Sequence, residues 1–122
     1  MPTPDFHHLR LSMVGDVAVV EIRTRDLTGP KAGQELGSEL ALVLAQDSAR
    51  RILLDFHRTA FLSSSSFGAL FRLVKQARTG GIQVKFCGMA SGVLVSAEVV
   101  GLPKIVEIHG DQSAGLKAFA TV

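Results

Sequence analysis

Ile52-Leu53-Leu54-Asp55-Phe56, followed after a short connection by Phe61-Leu62-Ser63-Ser64-Ser65-Ser66-Phe67-Gly68, decides the fold. The first run is short, continuous and apolar, as in a strand in the middle of a sheet covered on at least one face by helices. Phe67, Leu70, Phe71 and Val74 then recur at helical spacing, with Arg72, Lys75, Gln76 and Arg78 on the opposite side and Gly80-Gly81 as a stop. The four serines therefore fall where a buried strand hands over to an amphipathic helix. Serine suits that place because its hydroxyl accepts from the first backbone N–H groups, which have no partner inside the helix. The helix dipole also favours added negative charge there.

Working outward, Ile82-Gln83-Val84-Lys85-Phe86 alternates as a strand. Ser91 opens a helix through Val93, Leu94, Ala97 and Val100. Ile105-Val106-Glu107-Ile108 reads as a last strand, and Asp111 caps a final helix with Leu116 and Phe119 inward. Upstream, Leu9, Leu11 and Met13 alternate with polar residues, Gly15-Asp16 marks a turn, and Val17 to Arg23 is β-branched, together predicting a hairpin. Thr24 to Pro30 is a polar connection with Asp26 in it, leading to a helix with Leu36, Leu40, Val43 and Leu44 on one face. The predicted order is β-β-α-β-α-β-α-β-α. This is an α/β single domain over 9–122, a mixed and mainly parallel sheet with packed helices and the first strand on an edge. Residues 1–8, with two prolines and the pair His7 and His8, read as an exposed tail.

The chain has 122 residues, 47% of them apolar and 20% charged, which suits one folded core. A net charge of +2, dispersed basic residues and the lack of Tyr and Trp argue against a nucleic-acid surface. One cysteine, Cys87, leaves no disulfide framework and reads as core filler at a strand end. No apolar run is long enough to insert in a membrane, and the expected location is cytoplasmic. Nothing points to an enzyme, a metal or a cofactor. His57 lies six residues before Ser63, but no nucleophile elbow and no evident carboxylate to orient it accompany it. His57 and His109 read as loop and turn residues, Asp55 as a strand-end turn cap, and Gly29, Gly33 and Gly37 form no phosphate-binding pattern.

From about Leu9 to Phe119 the chain resembles the STAS domains, the fold of bacterial anti-sigma factor antagonists and of the cytoplasmic ends of sulphate transporters. Three landmarks carry the resemblance: the strand and serine turn above, Thr79-Gly80-Gly81-Ile82-Gln83-Val84-Lys85-Phe86-Cys87-Gly88, and Val100-Gly101-Leu102-Pro103-Lys104-Ile105-Val106-Glu107-Ile108. The first looks like the family's Asp-Ser-Ser-Gly-Leu-Gly turn. Ser63 stands at the Asp place, Ser64 at the serine that a kinase phosphorylates, Ser65 at the second serine, Ser66 at the glycine, Phe67 at the leucine and Gly68 at the second glycine. Asp26 matches a family acidic position near the phosphosite.

The resemblance implies an anti-sigma factor antagonist acting by partner switching. Unphosphorylated, it binds a histidine-kinase-like serine-protein kinase that doubles as anti-sigma factor; phosphorylation of Ser64 releases it, and a serine phosphatase is a further partner the resemblance implies. The alternative is a non-phosphorylated scaffold or interaction subunit of a signalling or membrane-associated complex. Two departures bear on this choice. Ser63 lacks the family carboxylate, and Ser66 enters positive φ less cheaply than glycine.

Overall fold

A computed structural model describes residues 6–46 and 50–120. Strands β1 (Leu9–Val14) and β2 (Val17–Ile22) form the expected hairpin, Val14 opposite Val17. Gly15 takes φ 60° in its two-residue turn, a region that favours glycine. To β2 are added, in parallel, β4 (Arg51–Asp55), β6 (Gln83–Cys87) and β7 (Ile108–His109), giving the order β1-β2-β4-β6-β7 with β1 on an edge.

Alternation along these strands feeds two cores. Ala18, Val20, Ile22, Ile52, Leu54 and Phe86 meet helices α1 (Ala32–Leu44), α2 (Ser64–Thr79) and α3 (Ser91–Val99). Val17, Val19, Leu53 and Cys87 meet Phe119 of α4 (Gln112–Ala120) on the opposite face. Both faces of β4 are thus covered, which is why Ile52 to Leu54 had to be apolar without interruption. Gly115 of α4 lies so close that a Cβ there would stand 2.6 Å from a Leu53 methyl.

Two strands of two residues escaped the sequence: β3 (Asp26–Leu27) and β5 (Phe61–Leu62) pair in parallel as a separate small sheet. Two residues carry no periodicity, so both segments read as loop. The last strand is also shorter and later than predicted. Gly101 at φ 83° and Pro103 wind Leu102–Lys104 into a 3-10 turn, and the Ile105 and Val106 N–H groups donate back to the Leu102 carbonyl. Val106 then enters the core, and pairing begins only at Ile108; His109, expected in a turn, is in this strand. Asp111 caps α4, accepting from the Ala114 N–H at 2.8 Å. Ser91 lies inside α3 and does not cap it; its N-cap is Ala90.

The tail needs correction at its end. Residues 1–5 lie outside the described residues, but His8 is 5% exposed. Its Nδ1 is 2.6 Å from the Thr24 hydroxyl, its Nε2 is 3.0 Å from Glu35, and its N–H donates to the Glu39 carboxylate at 2.9 Å. His8 thereby ties the start of β1 to α1 and to the end of the β2 segment. The hydrogen bond from His8 holds the Glu35 carboxyl below the ordinary glutamate value.

Replacing His8 with Ala leaves the Thr24 hydroxyl and the Glu35 carboxylate without their imidazole partners, while the backbone N–H at position 8 still donates to Glu39. We expect a loss of about 1–2 kcal/mol in urea unfolding. The Glu35 carboxyl should titrate at higher pH in this variant, as followed by carboxyl-carbon NMR. An unchanged Glu35 titration would show that His8 does not govern it.

Candidate functional site

The serine turn is held from below by backbone. The β3–β5 pairing sets Asp26 beside Phe61 and Leu27 beside Leu62. The Ala60 and Phe61 N–H groups donate to the Arg25 carbonyl at 2.8 and 3.2 Å, and the Thr59 hydroxyl donates to the Thr24 carbonyl at 3.0 Å. The Ser63 N–H then donates to the Leu27 carbonyl at 3.1 Å. Two loops far apart in sequence are clamped immediately before α2 begins.

The four serines divide the remaining work. Ser63 is the N-cap of α2, its Oγ accepting from the Ser66 N–H at 3.2 Å. Ser66 is fully buried, and its hydroxyl donates to the Leu27 carbonyl at 2.8 Å. The Ser63 hydroxyl donates to Ser66 Oγ at 3.2 Å, which spends its one proton. Ser65, 3.0 Å from Ser63 Oγ, must therefore donate to it. A directed chain results: Ser65 to Ser63, Ser63 to Ser66, Ser66 to the Leu27 carbonyl. Ser64 stands apart, exposed and without a hydroxyl partner among the described residues.

Ser66 occupies α2 with helical geometry, and no non-glycine among the described residues has positive φ. The serine in the glycine place therefore does not strain the turn. Gly33 of α1 packs against this turn: a Cβ on it would be 2.6 Å from the Ser65 backbone. Gly68, one turn into α2, is half-buried beside an Arg72 guanidinium nitrogen. Asp26 is exposed, and its carboxylate accepts from the Thr28 N–H at 3.0 Å and from the Thr28 hydroxyl, so it stiffens its own loop. Phe61, 50% exposed, carries the Arg25 guanidinium over its ring at 5.3 Å. Phe61 was read only as part of the connection into the serines; a large apolar side chain beside a polar turn was the available signal.

A second polar group lies at the carboxyl ends of β2 and β4. Asp55, 2% exposed, accepts from the His57 N–H, faces His57 Nδ1 at 3.0 Å, and accepts from Gln112 at 3.1 Å. His57 does have a carboxylate to orient it, contrary to the sequence reading, because the turn folds back on Asp55. Glu21 adjoins Asp55 in the sheet register and pairs with Arg58 at 3.1 Å. Glu21, Asp55 and His57 offer ligand atoms within 4.8 Å of one another, a grouping that sequence spacing hides. Arg58 balances the charge of Glu21, whose buried Oε1 has no hydrogen-bond partner among the described residues, and the hydrogen bonds on Asp55 lock the turn. Cys87, next to Asp55 in register, is buried; burial first, then the Asp55 charge, push its thiol up to about 12. It is an inert core residue.

A family model described as STAS domain matches residues 31–115, more than half of the chain. The chain belongs to the STAS domain family. Its fold is similar to an anti-sigma-factor antagonist (STAS) domain protein from Planctomyces limnophilus (TM-score 0.75, 18% identity, covering 90% of this chain and 95% of that one). It is also similar to the Bacillus cell fate determinant SpoIIAA in its phosphorylated form (0.67, 14%, 91% and 98%). A third likeness is to the STAS domain of a SulP transporter from Vibrio cholerae (0.69, 18%, 90% and 85%). Among the described residues no helix is long and apolar enough to cross a membrane.

The serines should separate in stability. Ser66→Ala removes a buried hydrogen bond and should cost about 1–2 kcal/mol. Gly33→Ala should cost about 1–3 kcal/mol through its clash with the Ser65 backbone. Ser64→Ala should fall within about 0.5 kcal/mol of the parent. Urea midpoints decide; a Ser64 effect as large as the Ser66 effect would contradict this division.

Proposed function

We propose that this STAS domain is an anti-sigma factor antagonist that works by partner switching, with Ser64 as the phosphate acceptor. The observation that carries the reading is the single free, exposed hydroxyl at the head of α2, beside three serines whose hydroxyls are spent on the turn. Ser63, Ser65 and Ser66 shape the turn, Gly68 leaves room after it, and Asp26 tunes the local field. The unphosphorylated face docks on a kinase-type anti-sigma factor in the cytoplasm, and a serine phosphatase restores it. The phosphorylated state of the similar SpoIIAA supports modification as a property this fold accommodates.

Phosphorylation adds roughly −1.5 to −2 charges. Inside the protein the helix start stabilises that charge by about 1 kcal/mol. Desolvating an unpaired dianion in a packed interface costs several kcal/mol. The interface effect dominates, so the fold persists and the affinity falls. A second reading, a scaffold that is never phosphorylated, is favoured by one observation: Ser63 caps the helix where the antagonist motif has a carboxylate. The similarity to a transporter STAS domain is compatible with it.

Incubation with the kinase-type anti-sigma factor of the same cell and ATP should place one phosphate on Ser64, located by mass spectrometry, and none on Ser64→Ala. Phosphorylation should weaken binding about 30-fold or more, equivalent to about 2 kcal/mol. Absence of phosphate from Ser63 to Ser66 would remove the switch. Equal affinities for Ser64→Ala and Ser64→Asp would establish the scaffold instead.

A further inference from the structure

We infer that Arg72 is the counter-ion that receives a phosphate carried by Ser64. This rests on the partner-switch reading above and adds the group that governs where the phosphate goes once attached. Arg72 lies eight residues beyond Ser64 on α2, yet its guanidinium is folded back toward the serines. One terminal nitrogen is 3.6 Å from the point where a Cβ on Gly68 would stand, and the other is 3.5 Å from the same point on Gly37 of α1. The planar group therefore lies across the mouth of the groove between the two helices, a cavity of about 340 Å³.

Eight residues of helix rise about 12 Å, and reaching Gly68 already covers about 6 Å of that distance. The remaining turn, about 6 Å of rise, is the span that the long Arg72 side chain and a phosphate on Ser64 would close between them. Gly68 sits between Ser64 and Arg72 in sequence along α2, and even a Cβ there would stand only in ordinary contact with the Arg72 guanidinium, at 3.6 Å. The guanidinium is available for the task. Arg72 is exposed and forms no ion pair among the described residues. Residues 64–79 contain no acid. The acids on the neighbouring helix, Glu35 and Glu39, are both engaged by His8. Of the other α2 cations, Arg78 donates to the Ile105 carbonyl at 2.6 Å, and Lys75 lies almost a turn further from Ser64.

Guanidinium matches phosphate with two parallel N–H donors, which ammonium does not. The pairing draws the phosphate along α2 toward α1. The modified state then differs from the unmodified one in the shape of this face as well as in charge.

The test uses the full chain with phosphoserine introduced at position 64 during translation, titrated by phosphorus NMR from about pH 5 to 8, spanning the second phosphate ionisation near 6. The opposed cation should lower that ionisation in the parent by about half a unit relative to Arg72→Gln. Arg72→Lys should fall between them, and Lys75→Gln should match the parent. Circular dichroism establishes that each variant is folded. Coincident titrations of the parent and Arg72→Gln would overturn the pairing, as would an equal effect of Lys75→Gln. Because the phosphate is built in and not transferred, failure of the kinase assay would remove the switch alone, and coincident titrations would remove the pairing alone.

Discussion

The carbonyl oxygen of Leu27 holds the serine turn in place. It accepts from the Ser63 N–H and from the buried Ser66 hydroxyl, and so uses both of its lone pairs on the start of α2. Leu27 itself is fully buried and is fixed by the β3–β5 pairing. The loop before α1 and the loop before α2 are therefore one mechanical unit, although 39 residues separate Leu27 from Ser66. Everything exposed at this end of the molecule, including Ser64, Phe61 and Asp26, takes its position from that junction. Releasing one buried carbonyl without a partner would cost about 1–3 kcal/mol, enough to make this geometry strongly preferred.

The same junction explains what was legible in the sequence. The sheet and the four helices follow from periodicity, because Ile52 to Leu54 is apolar on both faces and Leu36, Leu40 and Val43 share one helix face. The position of the serines at a helix start follows from cap chemistry. The distinction among them does not: each is a serine in a run of serines, and which hydroxyl is buried depends on a carbonyl from another loop. His8 shows the same limit. Its neighbours in sequence are those of a polar tail, while Thr24, Glu35 and Glu39, which surround it, come from elements that only folding brings near. Asp55 and His57 are close enough in sequence to be paired on paper, but Glu21 and Gln112 are not. The final strand was misplaced for a local reason, since Gly101 and Pro103 redirect a β-branched run into a 3-10 turn.

A fold shared with transporter domains and with anti-sigma factor antagonists says little about which surface is used. What particularises this chain is chemistry at the head of α2. Packing of Gly33 against the Ser65 backbone brings the first turn of α1 up to the serines. The side chains bordering them include Arg25 over Phe61, Arg72 beside Gly68, and Asp26, whose carboxylate is satisfied by Thr28. The surface is hydroxyl-rich and bordered by cations.

That balance bears on the replacement of the motif's acid by Ser63. As a cap, serine is equivalent to aspartate, because either oxygen accepts from the same N–H. As a charge it is not. An aspartate adjacent to a phosphorylated serine sets two anions side by side, and part of any affinity change on phosphorylation then comes from repulsion already stored within the domain. With Ser63 in that place a phosphate on Ser64 would have no carboxylate beside it within the serine run, and the acid of the adjoining strand, Asp26, is already engaged by Thr28. The modified domain is correspondingly better balanced in isolation. On the partner-switch reading, the discrimination between the two states must therefore arise on the partner's side of the interface, from desolvation of the dianion, and not from strain within this chain.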